Sequence, residues 1–347
     1  LGDPRWGAYV DAHPQATPFH HSGWLRALNA EYDRPVLGLA AEAGGRRVGV
    51  LPLMWTRGLR VPGAGSLVGA RLASLPRTPV AGALADDAEA AAALLERAVE
   101  LVEERPGARL QVKAAPGTPA GPLASHPWRE TYVVELPAGP AELRFGSPRN
   151  HSRIRWAVNR AHRAGVTVRC AAAPADVRAW YLLYVQTLRA HGVPPRPRRL
   201  FDALLGAPEP QRLARLYLAE DRGGNVLAGS VVLAHGPTAF YAFNGVRRSA
   251  VALRPNDLLQ WEALHDAVRD GRRHYDLGEV VEHHRGLADF KRKWGARPRR
   301  LVRLYHPAPD TPPDPGSGRP QQLLEATLRH LPRRATAAAG DLIYRFL

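Results

Sequence analysis

The chain has 347 residues, of which 45% are hydrophobic and 23% charged. That balance fits one large or two ordinary globular domains and excludes a disordered polymer. The formal net charge of +16, with a pI near 10.8, points to a polyanionic partner, because neutralising phosphates releases condensed counterions.

No apolar run reaches the roughly 18–20 residues of a membrane span. Cys170 stands alone, which excludes an internal disulfide and any multi-cysteine metal site. The first residues lack the basic and then apolar pattern of a signal peptide, so a cytoplasmic location is expected. Basic residues concentrate between Arg144 and Arg215 and again between Arg285 and Arg303, which suggests a surface for phosphates.

In chain order, a short helix is expected over Phe19–Asn29. Two apolar runs, Val36–Ala41 and Arg47–Trp55, flank Gly44-Gly45 and read as a hairpin. Asp86 can cap a long helix running to Arg105, where Pro106-Gly107 ends it. Leu110–Lys113 and Thr131–Leu136 read as strands and close a mixed α/β unit over residues 1–139. A second unit, 140–305, repeats the rhythm. It opens with a basic helix, Ser152–Ala164, and a strand, Val166–Cys170. Helices Pro174–His191 and Arg199–Leu205 precede a hairpin of Arg215–Ala219 and Val226–Ala234 across Gly223-Gly224. Strand Phe240–Asn244, helix Asp257–Arg269 and strands His274–Leu277 and Arg300–Tyr305 complete it. Residues 306–320, rich in Pro and Gly, read as a linker. The tail, 321–347, reads as helical with a break at Pro332.

The chain uses arginine 45 times and lysine only three times, at Lys113, Lys291 and Lys293. Lysines that survive such a bias are expected to be needed as lysines, since an ammonium is a compact point charge whose pKa moves on burial. Two of the three fall in Asp289-Phe290-Lys291-Arg292-Lys293-Trp294-Gly295. Two further segments stand in order before it, Trp180-Tyr181 through His191-Gly192-Val193-Pro194 and Arg254-Pro255-Asn256-Asp257-Leu258-Leu259-Gln260-Trp261. The stretch Tyr275-Asp276-Leu277-Gly278 completes the set, and the first half adds Phe19-His20-His21-Ser22-Gly23-Trp24 and Val48-Gly49-Val50-Leu51-Pro52-Leu53. Together they resemble the Fem-type transferases over nearly the whole chain.

The resemblance implies an α/β fold of two tandem GNAT-like domains with a C-terminal helical tail. It implies an aminoacyltransferase with no cofactor, whose co-substrate is aminoacyl-tRNA. The acceptor would be an amine on a peptidoglycan precursor peptide or a peptide-like natural product. By the same resemblance Lys291 stabilises the oxyanion of the attacked ester, and Arg155 meets an anionic part of the acceptor. Asp276, with Glu279 and His284 beside it, would take the proton of the attacking amine. Trp24, Tyr241, Asn244, Asn256 and Phe290 are expected substrate contacts, with Asn256 first of all a helix cap. Arg247, Arg248, Lys293 and Arg297 are expected to face tRNA. Lys291 and Arg155 should then line one cavity.

The sequence departs from the family in two places. Glu279-Val280 stands where many relatives carry arginine and serine, and Ala27-Leu28 where some carry a lysine. Both leave the acceptor open. The Gly-x-Gly or Gly-x-Ala turn that cradles the pyrophosphate of acyl-CoA is missing before Asp257, which favours tRNA as donor. An acyl-CoA N-acyltransferase and a non-catalytic RNA-binding protein on the same scaffold remain the alternatives. No metal is expected, since the histidines at 283 and 284 lack a third ligand. The tail either packs on the body or lies on a membrane surface as a basic amphipathic segment.

Overall fold

The computed structural model describes residues 3–56, 60–61, 65–66, 70–115, 117–206, 213–281, 284–310 and 319–346. The Asp3 carboxylate caps α1 (Pro4–Ala12), a helix the sequence reading left out. The helix α2 (Ser22–Tyr32) starts later than expected because Thr17–His20 closes a hydrogen-bonded turn and His21 takes the cap. Gly44 and Gly45 both hold positive φ (56° and 76°), as a two-residue hairpin turn requires. They join β1 (Leu37–Ala43) to β2 (Arg46–Thr56). Short strands follow: β3 (Arg60–Val61), β4 (Gly65–Ser66), β5 (Arg71–Ala73) and β6 (Leu84–Ala85). Asp87, not Asp86, caps α3 (Ala88–Glu103), accepting the Ala90 amide at 2.8 Å. Asp86 accepts the Tyr9 hydroxyl instead. The first half ends with β7 (Arg109–Ala114) and a twelve-residue β8 (Ala124–Glu135).

Ser147 caps α4 (Pro148–Arg163), which begins before the expected Ser152. Then come β9 (Thr167–Cys170), α5 (Pro174–His191), α6 (Arg198–Leu205), β10 (Ala214–Glu220), β11 (Val226–His235) and β12 (Thr238–Val246). The helix α7 (Pro255–Arg269) is entered through Arg254, in the left-handed conformation (φ 63°), with proline first in the helix. Asn256 is therefore inside the first turn and is not its cap. After β13 (His274–Val280), the short basic α8 (Arg285–Lys293) was not foreseen, and β14 (Arg297–His306) follows it. The tail forms α9 (Arg319–His330) and α10 (Arg333–Phe346) on either side of Pro332. Most of the expected linker lies outside the described residues.

Twelve strands of the described residues join in one sheet, ordered β1-β2-β5-β7-β14-β8-β13-β12-β11-β10-β9, with β6 on β2. The last strand, β14, lies between β7 and β8, so the two α/β halves share a sheet. One core packs α3 on the first half through Leu94, Leu95, Leu110 and Leu304. A second lies beneath α4 and α7 and includes Ile154, Leu258 and Trp294. A third joins the halves through α2, α5 and α6. The helix α5 sits close against the sheet because Gly229 and Gly245 face each other across β11 and β12. Added Cβ atoms would lie 2.5 Å from Trp180 and 2.4 Å from the Tyr184 amide nitrogen. The tail packs on the body: Tyr344 accepts from Arg77 at 3.0 Å, and Asp341 pairs with Arg199. No helix of the described residues is long and apolar enough to cross a membrane.

Candidate active site

The site begins where two parallel strands stop pairing. Hydrogen-bond register between β12 and β13 runs only from Thr238/His274 to Phe240/Asp276. Beyond Asp276, β13 continues against β8 alone, and its register shifts between Asp276 and Glu279. Gly278 absorbs that bulge with φ 85°, a conformation in which a side chain would be strained. The turn brings the Asp276 carboxylate back onto the Gly278 amide at 2.7 Å and the Thr131 hydroxyl at 2.5 Å.

Lys291, on the buried side of α8, reaches the same turn. Its ammonium donates to the carbonyls of Gly278 (2.8 Å) and Glu279 (3.1 Å), 5.9 Å from the centre of the Tyr132 ring. Lys291 is only 5% exposed. Burial lowers its pKa to about 8, with Asp276 and Glu279 opposing the fall. Asp276 moves the other way: desolvation raises it to about 6 against the pull of its two hydrogen bonds and of Lys291. A carboxylate and an ammonium are thus held near the middle of the pH scale, within one turn of backbone.

Other expected residues divide into those drawn to this region and those placed elsewhere. Asn244 and Asn256 meet: the Asn244 amide donates to Asn256 Oδ1 at 3.2 Å and to the Ser230 hydroxyl at 3.0 Å. Tyr241, on the same strand, is partly buried, and burial raises its hydroxyl to about 12. The Glu279 carboxylate is taken by Arg303 at 3.3 Å and approached by Arg129 at 4.0 Å. It is therefore an ion-pair partner and not a free base.

Several placements differ from expectation. Trp24 is 2% exposed, with its indole N–H on Thr78 and the Arg196 guanidinium 5.4 Å from its ring. It is core, not an open substrate contact. Arg155 is exposed on α4, whose buried stripe is Ile154, Ala157, Val158 and Ala161. A cavity of 330 Å³ beside Tyr132 is lined by Glu130, Val280, Arg285, Arg292 and Arg300 among others, but by neither Lys291 nor Arg155. The two do not meet there. Lys293 spends its ammonium on Asp257 at 3.1 Å, because Asp257 faces it from the first turn of α7. Phe290 is 38% exposed and stacks on that ammonium. His284 is exposed at the start of α8, Arg247, Arg248 and Arg297 are exposed too, and His283 lies outside the described residues.

Sequence reading missed Thr131, Tyr132 and Arg303, which reach the site only through sheet pairing. It also missed Asp11, His21 and His235, whose ligand atoms lie within 4.8 Å of one another. The His21 Nδ1 lone pair of that group already accepts the Gly23 amide at 3.0 Å.

Residues 148–292 match the family model described as an acetyltransferase (GNAT) domain. Among solved structures, FemX aligns with TM-score 0.66 at 15% identity, over 87% of this chain and 96% of that one. A C-terminal DUF2156 domain from Agrobacterium fabrum, assigned to a lysylphosphatidylglycerol synthetase, aligns with TM-score 0.58 at 15% identity, covering 94% and 95%. The L-PGS from Bacillus licheniformis aligns with TM-score 0.55 at 12% identity, covering 88% and 91%. No curated protein sequence matches this one. Residues 148–292 thus carry a GNAT acetyltransferase-type domain, and the whole chain has the fold of these structures. Its two-unit architecture is that of FemX.

Proposed function

We propose that the protein transfers an amino acid from aminoacyl-tRNA to an amine acceptor, forming an amide. The entrance to α7 carries this reading. A GNAT enzyme using acyl-CoA needs free backbone N–H groups there for a diphosphate. Here the Ala250 and Arg254 amides are spent on Arg247 and Val251 carbonyls, and Pro255 has no N–H to give. The first turn of that helix is already occupied by the Asp257 carboxylate, paired with Lys293. The net charge of +16 suits a polyanionic donor instead.

In this reaction the acceptor nitrogen bonds to the ester carbonyl carbon, and the ester C–O bond to the terminal ribose breaks. In this reading the Lys291 ammonium stabilises the tetrahedral oxyanion. Asp276 takes the proton of the attacking amine and passes it to the departing ribose oxygen, which leaves as a hydroxyl. The acceptor is an amine of a peptidoglycan precursor or a peptide-like natural product.

The test is to incubate the protein with a mixture of charged tRNAs and measure which is deacylated, with acetyl-CoA binding followed in parallel. Binding of bulk tRNA should weaken by orders of magnitude between about 50 and 200 mM salt if several phosphates are contacted. Tight acetyl-CoA binding with no deacylation would replace this reading by acyl-CoA-dependent N-acyl transfer. Salt-sensitive tRNA binding with no transfer would leave an RNA-binding protein.

A further inference from the structure

Residues 74–79, Ser-Leu-Pro-Arg-Thr-Pro, pass between the two halves on an unusual backbone. Leu75 and Arg77 both hold left-handed conformations, φ 59° and 49°, which side chains other than glycine adopt only when their surroundings enforce them. Three buried basic side chains hold its carbonyls. Lys113 Nζ donates to the Leu75 carbonyl, the Arg196 guanidinium to the Arg77 carbonyl, and Arg303 Nη1 to the Pro79 carbonyl at 3.0 Å. These side chains belong to residues 6%, 5% and 4% exposed.

Packing alone does not account for them. Lys113 and Arg303 are direct partners across the antiparallel β7/β14 pair, where a charged Lys113 would be repelled, and burial, with Arg303, pushes its pKa well below the ordinary value. Arg303 also faces away from the segment. Its Nη2 holds Glu279 Oε1 at 3.3 Å, and the Glu279 carbonyl accepts the Lys291 ammonium at 3.1 Å. Hydrogen bonds and one residue of backbone therefore run without a gap from Pro79 through Arg303 and Glu279 to Lys291.

We propose that Arg303 is a positioning residue, which anchors Glu279 to the 74–79 segment and thereby fixes the Lys291 ammonium at the turn of β13. What that ammonium does there rests on the proposed transfer, but where it is held does not. The charged and titratable groups around it are Asp276 and Glu279 from β13, Tyr132 and Arg129 from β8, Arg303 from β14, and Arg292 and Lys293 on α8 itself.

With only three lysines, the full chain labelled with [13Cε]lysine gives at most three side-chain titrations by NMR, assigned through Lys113→Met and Lys293→Arg. In the unmodified protein the Lys291 signal should titrate near pH 8. Arg303→Met frees the Glu279 carboxylate to hold the ammonium, so that midpoint should rise by about one unit. Glu279→Gln, nearly isosteric, should move it down. Arg303→Lys should return it toward the original value. Leu304→Ala, which opens the core under α3, should lower Tm and leave the midpoint in place. An unmoved midpoint in folded Arg303→Met overturns the proposal. If that variant does not fold, an unmoved midpoint in Glu279→Gln overturns it instead. Absence of transfer from every charged tRNA would remove the proposed function and leave this result standing.

Discussion

Replacing Asp276 by asparagine should stabilise the protein while abolishing transfer. The folded carboxyl titrates near 6 because burial outweighs its bonds to Thr131 and Gly278, against an ordinary value of 3.8. A difference of about two units, at about 1.4 kcal/mol per unit, sets an upper bound near 3 kcal/mol on the cost of keeping this group ionised. The sign follows from proton binding. Between pH 3.8 and 6 the folded state binds more protons than the unfolded one, so the cost is absent below that window, grows through it and is complete above pH 6. Asparagine keeps an acceptor for the Gly278 amide and Thr131 hydroxyl without the charge. Thermal or urea unfolding of both proteins from pH 3.5 to 8 gives the difference directly. The variant should gain a few degrees in Tm at neutral pH and nothing at pH 3.5, with transfer reduced by about 100-fold or more. A variant less stable than the parent at pH 7 would mean that Asp276 is a structural partner of Lys291 and would refute the reasoning.

Lys291→Arg should lower turnover about 100–1000-fold with little effect on tRNA binding, since a planar fork cannot take the place of a point charge on the Gly278 and Glu279 carbonyls; a fully active variant would end the catalytic assignment. Lys293→Arg should retain activity, because a guanidinium can still pair with Asp257, and steady-state rates check it. Transfer should follow a bell-shaped pH profile with limbs near 6 and 8, as Asp276 ionises and Lys291 loses its proton. Gly245→Ala should cost about 1–3 kcal/mol in urea unfolding, because the new methyl meets the backbone of α5 at Tyr184.

Much of the fold was legible because period and punctuation agree. The glycine pair at 44–45, Pro174 at the start of α5 and Gly192 at its end (φ 71°) fix elements that local chemistry alone specifies. The unseen parts depend on tertiary context. The helix α8 is nine residues long and carries five charged ones, Arg285, Asp289, Lys291, Arg292 and Lys293, so its apolar stripe is too short to read. The left-handed Arg254, which moved the start of α7 from Asp257 to Pro255, has no signature in residue type. Lys291 and Asp276 could be named from the motif, but Thr131 and Arg303 could not. They lie 145 and 24 residues from their partners Asp276 and Glu279, and only the order of β14, β8 and β13 brings them together.

Lysine rarity proved a better guide than charge. None of the three lysines is a simple surface cation: Lys113 and Lys291 are 6% and 5% exposed, and Lys293 is paired with Asp257. Burial drives Lys113 well below its ordinary pKa, with Arg303 and Arg71 adding to the fall. A guanidinium cannot respond in that way, since it stays charged in proteins. Arginine at 113 would put two permanent cations directly opposite each other across β7 and β14. A lysine there can give up its proton and still donate to Leu75. At 291 the same chemistry has a different use, because a group titrating near 8 is mostly charged at neutral pH yet close enough to neutrality to respond to Asp276 and Glu279. The three lysines of this chain thus stand where a cation is compact, paired or able to lose its charge.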